Sequence, residues 1–189
     1  MPEVFTDKLK DRLILAGLKE LEEHGIKDFS LRRVATSAEV SCAAPYRHFK
    51  DKEQLIDAII EYVKEGWMVL CAQINEVFSD NLANKIKELC ASGVRFWIAN
   101  GNFRSVLTVS QTNDNELSRK QIIADFDYPI LTAIDEYALE KRLSDSERDL
   151  LKHTAPALMY GTIMLIAGGF IERESAIKNL KDKLDADLN

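Results

Sequence analysis

With only three cysteines, four prolines and eight glycines among its 189 residues, the chain is poorly supplied for several architectures. Cys42, Cys71 and Cys90 are odd in number and show no Cys-x-x-Cys spacing. Neither a disulfide framework nor a zinc site is expected, and a reducing cytoplasm is the expected setting. There is no glycine-rich phosphate loop, no Gly-x-Ser-x-Gly elbow and no His-Glu-x-x-His pair. No catalytic residue, cofactor or metal is therefore expected, and the chain reads as a protein other than an enzyme. Glu20 and His24 form an i, i+4 pair but lack further ligands, so they read as a solvated helix face. The first residues, Met-Pro-Glu-Val-Phe-Thr-Asp, lack a basic-then-apolar signal pattern. The uncharged run from Ala155 to Ile171 is short for a membrane span and holds Pro156, Gly161, Gly168 and Gly169. It reads as a buried interface helix, with no membrane partner. Period-two alternation is missing as well, and no sheet is expected.

What the chain does have is an ordinary globular composition, 46% hydrophobic and 30% charged. Its net charge of −6 conceals an asymmetry. Residues 1–52 hold ten Lys/Arg against nine Asp/Glu, whereas residues 53–189 hold fifteen against twenty-two. Within 30–52 the balance is five against two. A basic segment on an otherwise acidic chain leaves one face suited to a polyanion.

Helical periodicity dominates. Leu9, Leu13, Ile14, Gly17, Leu18 and Leu21 predict a first helix, with Thr6 as its N-cap and Gly25 as its stop. Ser30 is placed to cap a second helix, with Phe29 stapled onto Val34. Glu39-Val40 makes a turn, and Ser41 is placed to cap a third helix running to about Phe49. Asp51-Lys-Glu-Gln54 opens a long fourth helix with a stripe from Leu55 to Phe78, about 40 Å at 1.5 Å per residue. Further helices are expected near 82–100, 103–110, 115–142, 145–171 and 173–188. Pro129 is expected to kink or split the third of these. Ser144-Asp-Ser-Glu147 is a capping box for the fourth.

Residues 30–49 carry the functional signal. Small Ala35 and Ala38 suit a close helix crossing, and Val40 can seat the turn in the core beneath. Arg32, Arg33, Arg47, Lys50 and Lys52 supply charge for a phosphate backbone, while Tyr46 and His48 offer polar aromatic tips. Ala43 and Ala44 leave room for close approach to base edges. Pro45 falls in a first helical turn, where its missing N–H matters little.

The stretch Val40-Ser41, Tyr46-Arg47-His48-Phe49 and Lys52-Glu53-Gln54-Leu55, after Ser30-Leu-Arg-Arg-Val-Ala, resembles the DNA-binding domain of TetR-type (TetR/AcrR) transcriptional regulators. The resemblance covers residues 6–60, about the first third of the chain. It implies a homodimer on a double-stranded DNA operator, with a recognition helix from Ser41 and a helical C-terminal domain that takes a small-molecule effector. Carried over by position, Tyr46 and Lys52 would hold phosphates and Arg32 and Arg33 would lie at the backbone or groove edge. Ser41, Cys42, Ala43, Ala44 and His48 would lie nearest the bases, with Ser30 at the capped entrance. The family commonly has Gly in the turn where this chain has Glu39. A left-handed Glu39 would cost about 1 kcal/mol.

The expected architecture is therefore all-α. An N-terminal three-helix helix-turn-helix head, residues 1–52, is joined by a long helix to a larger helical effector-binding and dimerisation domain, residues 53–189. Trp67, Phe96, Trp97, Phe103, Tyr128 and Tyr160 are the candidate pocket aromatics. Ala155, Leu158, Gly161, Thr162 and Leu165, with the stripe Ile177, Leu180 and Leu184, are the candidate dimer interface. A homodimeric, effector-released repressor is the leading reading. A helical protein–protein interaction module without sequence-specific DNA reading is the alternative.

Overall fold

The computed structural model describes residues 8–101 and 116–188, with side chains described over 8–101 and 123–188. Thr6, Phe103 and the helix expected over 103–110 lie outside the described residues. The described residues are helical throughout, with no strand among them. The elements are α1 (Lys8–His24), α2 (Leu31–Ser37), α3 (Pro45–His48), α4 (Lys52–Val77), α5 (Leu82–Ala99), α6 (Glu116–Lys141), α7 (Asp145–Ala167) and α8 (Arg173–Leu188).

Two compact units divide the chain, and the division falls inside α4, between Gly66 and Trp67. The first unit therefore extends beyond residue 52, because α4 contributes to its core. Leu55 and Ile59 are fully buried there with Leu13, Leu21 and Val34. A Cβ on Gly17 would stand 2.8 Å from Ile59 Cδ1, so the glycine permits α1 and α4 to approach this closely. Gly25, at φ +70°, ends α1 with a bond from its N–H to the Leu21 carbonyl.

In the second unit α5 is the central element, packing on α6, α7 and α8. Ile86, Leu89, Cys90, Ala91 and Val94 are shut off from solvent along it. The approach of α7 is close enough that a Cβ on Gly93 would meet Met159 Sδ at 2.5 Å. Burial pushes both Cys71 and Cys90 thiols up to about 12, which makes them inert packing groups.

Pro129 does not split α6, which runs unbroken from Glu116 to Lys141. Phe126, Ile130, Ala133 and Ile134 are all buried around it, and that packing outweighs the one backbone bond that proline cannot donate. The capping box at Ser144 and Glu147 forms as expected, with both reciprocal bonds present. The following helix stops at Ala167, short of 171. Gly169 takes φ +72° and Phe170 N–H bonds back to the Leu165 carbonyl, a left-handed stop.

Leu89→Ala is expected to destabilise the second unit by about 2–5 kcal/mol, as truncation at a fully buried site does, whereas Ser144→Ala costs about 1 kcal/mol. Urea titrations followed by Trp fluorescence would rank the two.

Candidate nucleic-acid interface

The helix-turn-helix starts at Ser30, whose Oγ accepts the Arg33 N–H at 3.4 Å while its backbone is extended. Phe29 and Val34 are both buried, as a staple requires. At the exit of α2, Val40 N–H bonds to the Ala35 carbonyl and Glu39 N–H to that of Thr36. Glu39 stands at φ +55°, the left-handed conformation in which the family's glycine is at ease. The turn geometry survives the substitution, and Val40 is half-buried beneath it.

The third helix is shorter than its sequence pattern. Residues 41–44 form a turn closed by Ala44 N–H to the Ser41 carbonyl, and α3 covers Pro45–His48 alone. Pro45 has no N–H to donate back to Ser41, so regular bonding cannot begin there. Ala44 occupies the cap position, and no side chain caps the helix, so Ser41 acts through its carbonyl and not its hydroxyl. Ala44 is buried, which turns it toward the head's own core instead of a ligand.

The remaining predicted residues differ in exposure and in partners. Arg32, Ser41, Cys42, Ala43, Tyr46 and Arg47 are exposed, with Tyr46 61% accessible despite its large ring. His48 and Ser30 are half-buried. Arg33 and Lys52 are engaged within the head. Lys52 Nζ donates to the Ile26 carbonyl at 2.8 Å. Arg33 Nε donates to Glu20 Oε1 and Oε2 at 2.8 and 3.1 Å, and its Nη2 reaches Glu20 and the Asp28 carbonyl.

Glu20 corrects the expectation of a solvated face: it is only 5% exposed. Besides Arg33 it accepts the Ser30 N–H at 3.0 Å, and His24 Nδ1 lies 3.3 Å from its Oε2. Burial alone would raise its carboxyl, but the hydrogen bonds from Arg33 and Ser30 outweigh this and hold it below its ordinary 4.5. The signal in the sequence was its place on the inner stripe of α1 between Gly17 and Leu21. Among the described residues no group of three or more His, Cys, Asp or Glu is placed to hold a metal.

In the second unit Trp67, Phe96, Trp97 and Tyr160 do come together, packed around Phe126, which the candidate set had omitted. Trp97 and Phe126 centroids are 5.0 Å apart, Trp67 and Phe96 5.4 Å, and Trp97 and Tyr160 6.3 Å. Trp67 Nε1–H donates to the Phe126 carbonyl at 3.0 Å. Tyr160 donates its hydroxyl to Asp127 Oδ1 at 2.9 Å. Burial raises the Asp127 carboxyl, with the Tyr160 hydrogen bond acting against it, and burial beside that carboxyl raises the Tyr160 phenol. Tyr128 stands apart, exposed at the rim of a cleft of about 340 Å³ with Met68, Asn75, Lys85 and Thr132.

The candidate interface residues divide sharply. Ala155, Ile177, Leu180 and Leu184 are buried within one chain, because the apolar stripe of α8 and one side of α7 face their own bundle. Leu158 and Thr162 are half-buried, while Gly161 and Leu165 are exposed with Leu150, Met164 and Phe170. Helix α7, at 23 residues with an 18-residue stretch of mean hydropathy 1.2, is long and apolar enough by composition to cross a membrane. Its inner face of Leu151, Ala155, Met159 and Ile163 is instead buried among the other helices of the bundle.

A basic-flanked helix-turn-helix on a helical body is an arrangement suited to double-stranded DNA. Residues 13–59 match the profile of bacterial regulatory proteins of the tetR family. The fold of nearly the whole chain is shared with solved structures of low identity. A Rhodococcus protein described as a TetR-family transcriptional regulator is 19% identical over 97% of this chain and 100% of its own, with a TM-score of 0.79. FadR from Bacillus subtilis, solved with stearoyl-CoA, is 13% identical over 92% and 96%, with a TM-score of 0.74. A TerR/AcrR-family regulator from Aquifex aeolicus is 18% identical over 94% and 98%, with a TM-score of 0.72. Residues 13–59 are therefore similar to the DNA-binding domain of the tetR family, and the chain as a whole shares the fold of the solved regulators.

The sign of the Glu20 effect is fixed by its direction. A carboxyl held below 4.5 contributes stability that is fully present above that pH and is lost as pH falls through the lowered value. Thermal melts between about pH 6 and pH 3 should therefore show the head losing stability in acid, and Glu20→Gln should reduce that loss.

Proposed function

We propose that this regulator is a cytoplasmic homodimeric repressor that leaves a palindromic operator when a small-molecule effector enters its C-terminal body. The exposed Tyr46, on a short helix presented by a family-matched head, is the observation that carries the DNA part of this reading. Tyr46, Arg32 and Arg47 would meet phosphates, and Ser41, Cys42, Ala43 and His48 would lie nearest the base edges. Lys52 keeps ammonium protons for a phosphate beside its bond to Ile26.

Dimerisation rests on the outer face of α7. Leu150, Gly161, Met164, Leu165 and, beyond the helix end, Phe170 are exposed together on one chain, and apolar patches of this kind mark association sites. Among the described residues, apart from its chain neighbours and its own helix backbone, nothing lies within 4 Å of a Cβ placed on Gly161, which leaves room for a partner helix at short distance. A two-fold axis there gives a self-complementary contact and sets two heads on successive half-sites, roughly 34 Å or a multiple apart.

The effector reading draws on the aromatic group around Phe126 and the Tyr160–Asp127 hydrogen bond, a mostly apolar lining with one polar pair. An effector shifts DNA affinity only by its own difference in affinity for the two arrangements of the body. Helix α4, unbroken from Lys52 to Val77, is the covalent route for that shift.

The purified protein should enrich a palindrome from a random duplex pool, and Tyr46→Ala should lower affinity for that duplex by about tenfold or more. A folded protein that enriches nothing at low salt would instead favour an interaction module. For the dimer, Gly161→Glu combined with Met164→Glu should sediment as a monomer. A dimer that persists would move the interface elsewhere.

A further inference from the structure

The most heavily bonded charged group of the head belongs to no DNA-contacting set. Glu20, on α1, is a carboxylate 5% exposed, and both its oxygens are occupied. Oε1 takes the Ser30 N–H at 3.0 Å and Arg33 Nε at 2.8 Å, while Oε2 takes Arg33 Nε at 3.1 Å. The same guanidinium reaches over the Asp28 carbonyl, closing the loop that leads into α2. At the far end of α2, the Arg12 guanidinium donates to the Ala38 carbonyl.

These contacts are matched in length. Arg12 and Glu20 are eight residues apart on α1, as are Ser30 and Ala38 across α2, each interval spanning about 12 Å at 1.5 Å per residue. The N-terminal end of α1 holds the exit of α2, and its C-terminal end holds the entrance. The two helices therefore run in opposite senses with a polar bond at each end. Between them Leu13, Val34 and Ala35 are fully buried.

Two of the three guanidinium nitrogens of Arg33 are also turned away from its expected task. A phosphate ligand needs its donors turned outward, but here Nε and Nη2 converge on one buried carboxylate and one carbonyl. Arg32, its neighbour, is exposed, and its carbonyl accepts the Thr36 hydroxyl at 3.1 Å. Two adjacent arginines thus divide two jobs between them.

We propose that Glu20 and Arg33 are a positioning pair for DNA recognition: their ion pair, buried on its Glu20 side, fixes the entrance of α2 on α1, and Arg33 is not a phosphate ligand. The inference deepens the DNA-binding reading above and rests on it. A small error at the entrance of α2 is carried through the turn at Glu39 to the exposed Tyr46, so the pair governs how well the head fits a specific site. Non-specific attraction to the phosphate backbone does not pass through it.

The experiment compares wild type, Glu20→Gln, Arg33→Lys and the double variant on the duplex enriched by wild type and on a random duplex, across a potassium chloride series. It is run at a temperature where circular dichroism shows each protein folded. Both single variants keep side-chain size close to native, and Arg33→Lys also keeps the charge, but neither can make the forked pair. The expected result is a loss of about tenfold on the enriched duplex with little change on the random one, and a salt slope equal to that of wild type. The double variant should be no weaker than the weaker single variant, since both break one interaction. A third variant, Arg33→Gln, removes the charge outright. If its slope falls by about 0.9 per protomer, Arg33 holds a phosphate and the proposal is overturned. Additive losses in the double variant, or wild-type affinity in Glu20→Gln and Arg33→Lys, overturn it too. If wild type itself enriches no duplex, the regulator reading fails first. Hydrogen exchange then tests the pair alone: the Ser30 and Arg33 amides should exchange faster in Glu20→Gln while those of α5 do not, and unchanged exchange would overturn the pairing.

Discussion

A seven-residue helix is nearly all ends, and that constraint governs the DNA-reading head. The first four N–H groups and last four carbonyls of any helix lack partners within it, so α2 cannot satisfy its own backbone. Ser30 supplies a hydroxyl and Glu20 a carboxylate at the entrance; Arg12 supplies a guanidinium at the exit. Hydrophobic burial of Leu13, Val34 and Ala35 brings α1 and α2 together, but the polar bonds decide how they meet. The turn at Glu39 and the short α3 inherit their position from that fixed α2. A left-handed glutamate is tolerable in this setting because the bonds from Glu39 and Val40 back to α2 over-determine the local backbone.

The second unit depends on a different economy. Its central helix α5 is surrounded on several sides, and its charged residues are tied into ion pairs where they emerge. Glu88 takes Arg95 and Lys181, and Lys85 takes Glu136 at 3.1 Å. Burial alone would raise the Glu88 carboxyl, but the two cations lower it on balance. These pairs fasten α8 and α6 to α5 at the edge of an apolar core. The aromatic residues then fill the interior around Phe126, with Asp127 and Tyr160 as a satisfied polar pair. What is left over among the described residues is the outer face of α7, where apolar side chains stay exposed.

Much of this was legible beforehand because it depends on local rules. The capping box at Ser144, the stop at Gly25, the staple of Phe29 on Val34 and the pattern from Val40 to Leu55 each rest on residues within a turn or two of one another. The short α3 was less visible: the same Pro45 that suits a first turn also prevents Ser41 from starting one. The local effect of Pro129 is outweighed by the burial of its neighbours. The α8 stripe was correctly apolar, yet periodicity cannot say whether a stripe meets its own bundle or another copy.

Local sequence was enough for the helical class, the position of the helix-turn-helix and the family whose profile residues 13–59 match, since caps, turns and periodicity are written in neighbouring residues. Only tertiary structure decided which charges face outward. Glu20 and Arg33 stand thirteen positions apart and Arg12 and Ala38 twenty-six, and nothing in either local pattern announces the partner. The same holds for Ile177, Leu180 and Leu184, buried by helices far away in sequence. Long-range packing assigns each polar group its partner and each apolar face its cover, and it is set by the whole chain at once.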